Sequence, residues 1–202
     1  MRLFLILLLF PVIATAQETN VRLAQIVDFV RGPFGDNEYE ESRAMLVTDD
    51  EGVVDLYIFE GDFYRNTDLG DPVVYTPYFT GLVKYPPELS LLAGGGFAIS
   101  QSQGTTGWGS WTSTSKIAKR DGGYFYIGSN FYFRNGLEPY DGVNCEYDYE
   151  IGVVVVTVYN EDEEIVSVED YNFDPVPLRE LGQQTDYALP AYSAEVIEKC
   201  DR

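Results

Sequence analysis

Short apolar runs with a period of two residues constrain the fold of this chain most. From Arg43 onward, apolar and polar residues alternate in short segments separated by turn residues, as at Thr48–Gly52, Asp121–Gly122 and Asn160–Glu164. Successive side chains of a β-strand point to opposite faces of its sheet, so this period is typical of half-buried strands joined by hairpin turns. The sequence predicts about nine or ten such strands.

The middle of the chain carries three more specific predictions. The triplet Gly94–Gly96 separates two apolar segments and predicts a hairpin. Gly128 interrupts an aromatic strand and predicts a bulge. Val153–Val156 is apolar at every position, which favours a strand buried on both faces.

A different spacing occurs near the N-terminus. Within residues 20–30, four apolar residues recur at helical spacing, and Gly32–Pro33 would end the helix. The four residues are Leu23, Ile26, Val27 and Val30. The sequence therefore predicts one short helix here, covering part of a sheet.

Together these patterns predict a mainly β fold. We expect a single antiparallel β-sandwich or curved-sheet domain with one or two short helices. Residues 17–42 would hold the N-terminal helix and an acidic loop, residues 43–170 the β domain, and residues 171–202 a C-terminal tail packed on that domain.

Residues 1–16 have the composition of a secretory signal peptide. Arg2 precedes an apolar run that continues through Phe10, and Ala14-Thr15-Ala16 supplies a small-residue cleavage site. The run is shorter than the roughly 20 helical residues that cross a bilayer. We expect a secreted or periplasmic protein with no membrane insertion after signal cleavage.

Export makes the two cysteines informative. Cys145 and Cys200 form an even pair, and an oxidising compartment favours a disulfide between them over two free thiols. That bond would hold the C-terminal tail against the body of the protein.

The charge excludes several classes of function. The chain has 33 acidic residues, 13 basic residues and no histidine, for a net charge of -20. We therefore expect no nucleic-acid partner, because such binding depends on Lys and Arg. The absence of histidine, with only two cysteines, also excludes the usual zinc and copper sites and nucleophilic catalysis that uses a histidine base. A high net charge also favours a monomer.

Carboxylates and aromatic residues are left as candidate binding groups. Glu146, Asp148 and Glu150 would share one face of a strand, and Trp108 and Trp111 could stack on a sugar ring. This set predicts a carbohydrate-binding module or a carboxylate-dependent glycosidase. The alternative, which the abundance of acids favours, is that these carboxylates form a solvated face and that the chain has no catalytic residues.

Calcium is the metal for which the sequence offers a candidate site. Asp49, Glu51 and Asp55 alternate around Gly52, as acids do in calcium loops, but Val47 stands where the first ligand should be. A plain acidic hairpin turn is the alternative, with no cofactor at all.

Four stretches together resemble a group of uncharacterised secreted or periplasmic bacterial β proteins. They are RAMLVTDDEGVVDLYIFEGD (43–62), PELSLLAGGGFAISQSQ (87–103), WGSWTSTSKIAKRDGGYFYIGSNFY (108–132) and NCEYDYEIGVV (144–154). Asp49–Asp55 also resembles the FG-GAP/VCBS calcium loop, without its Phe-Gly and Gly-Ala-Pro signatures. The resemblance covers residues 43–156 and implies no reaction.

The absence of a catalytic constellation and the exported, acidic character point to one main hypothesis. We expect a non-enzymatic structural or interaction module with an unknown protein or glycan as partner, although the sequence does not exclude an enzyme. The carbohydrate-binding or glycosidase hypothesis is the alternative.

Overall fold

The fold is described from a computed structural model of the chain. The structure describes residues 25–35, 41–48, 54–61, 71–79, 86–104, 109–135, 142–173, 177–181 and 200. The expected signal peptide therefore lies outside the described residues.

Twelve strands make up most of the described chain, in agreement with the predicted β fold. They are β1 (Gln25–Gly32), β2 (Ser42–Thr48), β3 (Val54–Glu60), β4 (Val74–Phe79), β5 (Glu88–Leu91), β6 (Phe97–Gln103), β7 (Gly109–Arg120), β8 (Gly123–Asn135), β9 (Gly142–Asp148), β10 (Val153–Tyr159), β11 (Ile165–Asn172) and β12 (Arg179–Glu180).

The strands form two antiparallel sheets. The small sheet has the order β1-β2-β3-β4, and the large sheet has the order β11-β10-β9-β8-β7-β6-β5, with β12 added beside β8. Neighbours in each sheet are mostly neighbours in sequence, because the turns predicted between alternating segments connect them as hairpins.

One hydrophobic core lies between the small sheet and the β5–β8 half of the large sheet. Its buried members come from both sheets, which makes this half of the molecule a sandwich. They are Phe34, Ala44, Leu46, Val54, Leu56, Ile58, Phe97, Ile99, Ile117, Tyr124 and Leu181. We call the side of the large sheet that carries Ile99 and Ile117 the inner face, and the opposite side, which carries Thr114 and Lys116, the outer face.

Phe34 joins the two sheets just after β1. Its ring is 1% exposed and packs against Phe97, with ring centroids 4.8 Å apart. The backbone around it is held by the large sheet, because Gly96 N donates to Pro33 O and Lys119 N donates to Phe34 O. The chain thus crosses between the sheets with its polar backbone groups bonded.

A second cluster lies on the inner face of the large sheet, beyond the small sheet. Val154 and Val156 are buried there beside Cys145, which forms the predicted disulfide with Cys200. The two Cα atoms are 6.1 Å apart, and Cys200 is itself buried. The disulfide therefore holds Cys200 against β9.

The predicted hairpins are present where the structure describes them. β5 and β6 flank Gly94–Gly96, and β9 and β10 flank the turn that contains Gly152. Asp121 and Gly122 connect β7 and β8 with φ angles of 48° and 86°, both in the left-handed region. A two-residue turn of this kind matches the twist of its strands, and Asp-Gly is a pair that tolerates it.

The helix predicted for residues 20–30 is wrong over its described part, because Gln25–Gly32 form β1. The pairing of β1 with β2 shifts register between Ile26 and Asp28, which leaves Val27 as a bulge. The bulge lets both Val27 and Val30 pack against the core, although they are three residues apart. That spacing imitates a helix, while Ile26, assigned to the same helix face, is 56% exposed.

Two strand predictions also need correction. Val154 and Val156 are buried, but Val153 and Val155 are only half-buried, since neither core cluster of the described chain covers the outer face beside them. The bulge expected at Gly128 lies one residue earlier, at Ile127, which has no partner where β7 and β8 shift register.

Candidate functional site

The predicted sugar-site carboxylates lie on the outer face of β9. Glu146 stands opposite Asn130 of β8, and its carboxylate forms an ion pair with Lys116 of β7. The lysine side chain passes over Gly128, because a Cβ on that glycine would lie 3.5 Å from Lys116 Cδ. The Glu146 carboxylate is therefore held by a cation two strands away.

Asp148 and Glu150 hold the β9–β10 turn. Asp148 Oδ1 accepts hydrogen bonds from the backbone N–H groups of Glu150 (3.0 Å) and Ile151 (3.2 Å), as aspartates commonly do in turns. Arg120 Nε donates to Glu150 Oε1 at 2.7 Å. Each of the three acids thus has a partner within the protein that accounts for its position.

Trp111 is not beside these acids. In the β7–β8–β9 register it aligns with Phe133 and Val143, whereas Glu146 aligns with Asn130 three residues away, so the two side chains point to opposite faces. Trp111 Nε1 donates to Gln103 Oε1 at 2.7 Å on the inner face. Trp108 lies outside the described residues.

The predicted calcium loop is described only at its end. Asp49 and Glu51 lie outside the described residues, and Asp55 sits on β3 opposite Val47. Burial, together with the nearby Asp55 carboxylate, raises the pKa of Tyr57. Among the described residues, no group of three or more acidic or cysteine side chains is arranged to hold a metal ion.

A polar cluster that the sequence did not predict joins the two sheets at one end of the core. The Tyr124 hydroxyl donates to Glu60 Oε1 at 2.7 Å, and Lys119 Nζ lies 3.0 Å from the same oxygen. Burial pushes the pKa of Glu60 upward, but the Tyr124 hydrogen bond and the Lys119 ammonium outweigh it, so this pKa lies below its ordinary value. The cluster therefore connects Glu60, the last residue of β3, to the β7–β8 hairpin.

The outer face becomes aromatic and apolar toward β11. Tyr132 and Tyr159 meet edge to face with centroids 5.9 Å apart, and Tyr159 stands opposite Ile165 of β11. The pKa of Tyr132 is raised by burial, which the Arg134 guanidinium opposes and which Glu163 and Tyr159 support. Arg134 forms an ion pair with Glu163 in the β10–β11 turn.

β11 ends the large sheet and exposes apolar side chains along its first half. Ile165, Val166 and Val168 are 61%, 64% and 55% exposed. Val166 is a bulge, because the pairing of β10 with β11 shifts register beside it. Within the described chain, no strand lies on the far side of β11.

The other sheet edges are protected in ways that β11 is not. β4 contains Pro77, which has no N–H to offer a further strand. β1 and β5 lie beside each other, and the Leu89 N–H at the start of β5 donates to Asp28 Oδ2 of β1 at 2.6 Å. β11 contains neither proline nor lysine, and its bulge interrupts the edge only near its start.

No protein-family model, no curated protein and no solved structure matches this chain. Among the described residues, no helix has the length and apolar character needed to span a bilayer. The candidate site therefore rests on the geometry of β11 and the residues around it.

Proposed function

We propose that this chain is an exported, non-catalytic β module that acts by binding another protein along the edge of β11. The observation that carries the proposal is the exposure of Ile165, Val166 and Val168 on a sheet edge without a described neighbour. An unpaired edge offers backbone N–H and C=O groups to an incoming strand, and exposed β-branched residues add apolar contact.

The expected signal peptide and the disulfide support export. A structural disulfide is typical of proteins that fold in oxidising compartments, and Cys145 and Cys200 are bonded in this fold. The net charge of -20 keeps such a protein soluble and directs its contacts toward particular partners.

The carbohydrate hypothesis has no comparable support. A sugar ring cannot contact Trp111 and Glu146 at once, because these side chains lie on opposite faces of the large sheet. Glu146 and Asp148 are also engaged by Lys116 and by the β9–β10 turn.

A site-specific photocrosslinker would test the proposal in cells that export the protein. Placed at Val168, it should yield a discrete protein adduct. At Ile151, which is more exposed but lies in a turn, and at Leu91 on β5, it should yield none. Equal adducts at all three positions, or none at Val168, would contradict binding at this edge.

A further inference from the structure

We infer that the partner of the β11 edge is a cationic extended segment of another protein, with basic residues on both sides of an alternating apolar centre. The inference rests on the proposed function and names the chemistry of the segment that would pair with β11. It follows from where the charges lie along this edge.

Acidic residues lie at both ends of the exposed apolar stretch. Residues 160–172 contain six carboxylates and no lysine or arginine. Four are in the turn before β11 and two follow Val168. The six carboxylates belong to Glu161, Asp162, Glu163, Glu164, Glu169 and Asp170. Opposite charges facing each other across paired strands stabilise the pair, so a bound segment gains from basic residues at both ends.

The register of the large sheet tells which face each β11 side chain occupies. Ile165, Val168 and Asp170 align with Tyr159, Thr157 and Val155 of β10, and therefore point to the outer face. Ser167 and Glu169 point to the inner side, where Tyr171 donates a hydrogen bond to Glu169. A paired segment would place apolar residues beside Ile165 and Val168 and a basic residue beside Asp170.

The bulge at Val166 limits the length of regular pairing. Ser167–Asn172 pairs with β10 without a shift, so this part of β11 offers a regular edge to a neighbour. Antiparallel pairing continues the pattern of every other pair in the sheet and is slightly more stable than parallel pairing. The incoming segment would thus begin with its basic residues beside Asp170 and run toward the β10–β11 turn.

A second copy of this chain fits the edge poorly. It would bring the same acidic residues to both ends of the paired stretch, of which Glu163 is already neutralised by Arg134, and a further net charge of -20. Like charges placed opposite each other on paired strands are destabilising, so charge selects a basic partner over self-association.

Four synthetic peptides would test the inference with the full mature protein. The first, TKKVTVKK, follows the antiparallel register; the second, TSSVTVSS, keeps the apolar spacing without charge. The third, TEEVTVEE, reverses the charge, and the fourth is a scrambled TKKVTVKK with its two valines at the ends. Binding is measured by fluorescence anisotropy at physiological ionic strength, where screening weakens non-specific attraction.

We expect TKKVTVKK to bind at least about fivefold more tightly than TSSVTVSS or the scrambled peptide, and TEEVTVEE to bind least. Val168→Lys should abolish this preference, and Asp170→Asn should weaken TKKVTVKK severalfold. Asp121→Asn removes the same charge from the β7–β8 turn and should leave binding unchanged.

Three results would overturn the inference. If the scrambled peptide binds as well as TKKVTVKK, the attraction is non-specific charge. If TSSVTVSS binds as tightly as TKKVTVKK and Val168→Lys abolishes the binding of both peptides, the edge pairs with a segment without selecting its charge. The proposed function then stands without the inference. If no peptide binds, crosslinking from Val168 still decides the proposed function separately.

Discussion

Lys116 of β7 and Glu146 of β9 form an ion pair across the intervening strand, over the backbone of Gly128. The glycine allows this contact and also a close approach of two backbones, because a Cβ there would lie 2.5 Å from Tyr147 O. Glu146, which the sequence predicted for sugar binding, is therefore part of the framework of the large sheet.

Gly128→Ala should therefore destabilise the protein by about 1–3 kcal/mol, since the added methyl group forces the β8 and β9 backbones apart. The matched control is Gly94→Ala, because a Cβ at Gly94 would meet nothing within 4 Å. Urea denaturation of both variants measures the difference. Equal stability of the two would show that the β8–β9 contact is looser than described.

The ion pair itself should contribute little to stability. The side chains of Lys116 and Glu146 are 26% and 47% exposed, and pairs with this much solvent contact are worth about 0–1 kcal/mol. A double-mutant cycle with Lys116→Met and Glu146→Gln measures the coupling free energy. A coupling well above this range would mean that the pair is a functional or structural centre after all.

Loss of the disulfide should lower the free energy of unfolding by about 4 kcal/mol, from the chain entropy released between residues 55 positions apart. The replacement Cys145→Ala with Cys200→Ala, compared with the oxidised protein in urea, measures this loss. Titration of the denatured, unreduced protein should detect no free thiol. Two titratable thiols would contradict the bond.

The Glu60 cluster predicts a pH-dependent contribution to stability. Because the pKa of Glu60 is lower in the folded chain than its ordinary value of 4.5, its carboxylate stabilises the fold fully above that pH. The contribution is lost as pH falls through the folded-state pKa. The destabilisation caused by Glu60→Gln should thus be largest near pH 7 and shrink toward pH 3.

Urea denaturation of the native protein and of Glu60→Gln at several pH values checks this. Lys119→Met removes the cation that faces Glu60, and its cost should shrink over the same pH interval. A constant difference between Glu60→Gln and the native protein across this interval would show that Glu60 does not titrate differently in the fold.

The bond from Leu89 N to Asp28 Oδ2 should hold the β1 and β5 edges together. Asp28→Ala leaves the Leu89 N–H without its acceptor, which should cost about 1–3 kcal/mol and speed amide exchange at Leu89. Asp71→Ala, at an exposed position, serves as the control. Unchanged exchange at Leu89 would mean that the two edges are held by packing alone.

The alternating period sufficed to predict the fold class, because hairpins such as β5–β6 and β9–β10 form between strands that are adjacent in sequence. Gly and Asp residues mark the turns that connect these strands. The alternating period failed at β1, where a bulge at Val27 produces a helical spacing that only the pairing with β2 explains. The pairing of Cys145 with Cys200 was predictable because the chain has no other cysteine.

The candidate site could be predicted only in part. Placing Glu146 and Asp148 on one face needed nothing beyond strand alternation, whereas their separation from Trp111 depends on the register of three strands. The β11 edge is visible in sequence as IVSV between two acidic groups. Its position at the end of the sheet follows from strand order, which local pattern does not contain.

Amide hydrogen exchange of the mature protein, with and without saturating TKKVTVKK, tests binding at the β11 edge most directly. We expect outward-pointing amides within Ser167–Asn172 to exchange about tenfold more slowly with the peptide, while exchange in β4 and β5 is unchanged. Protection at β4 or β5, or none at β11 when the peptide is bound, would contradict binding at this edge.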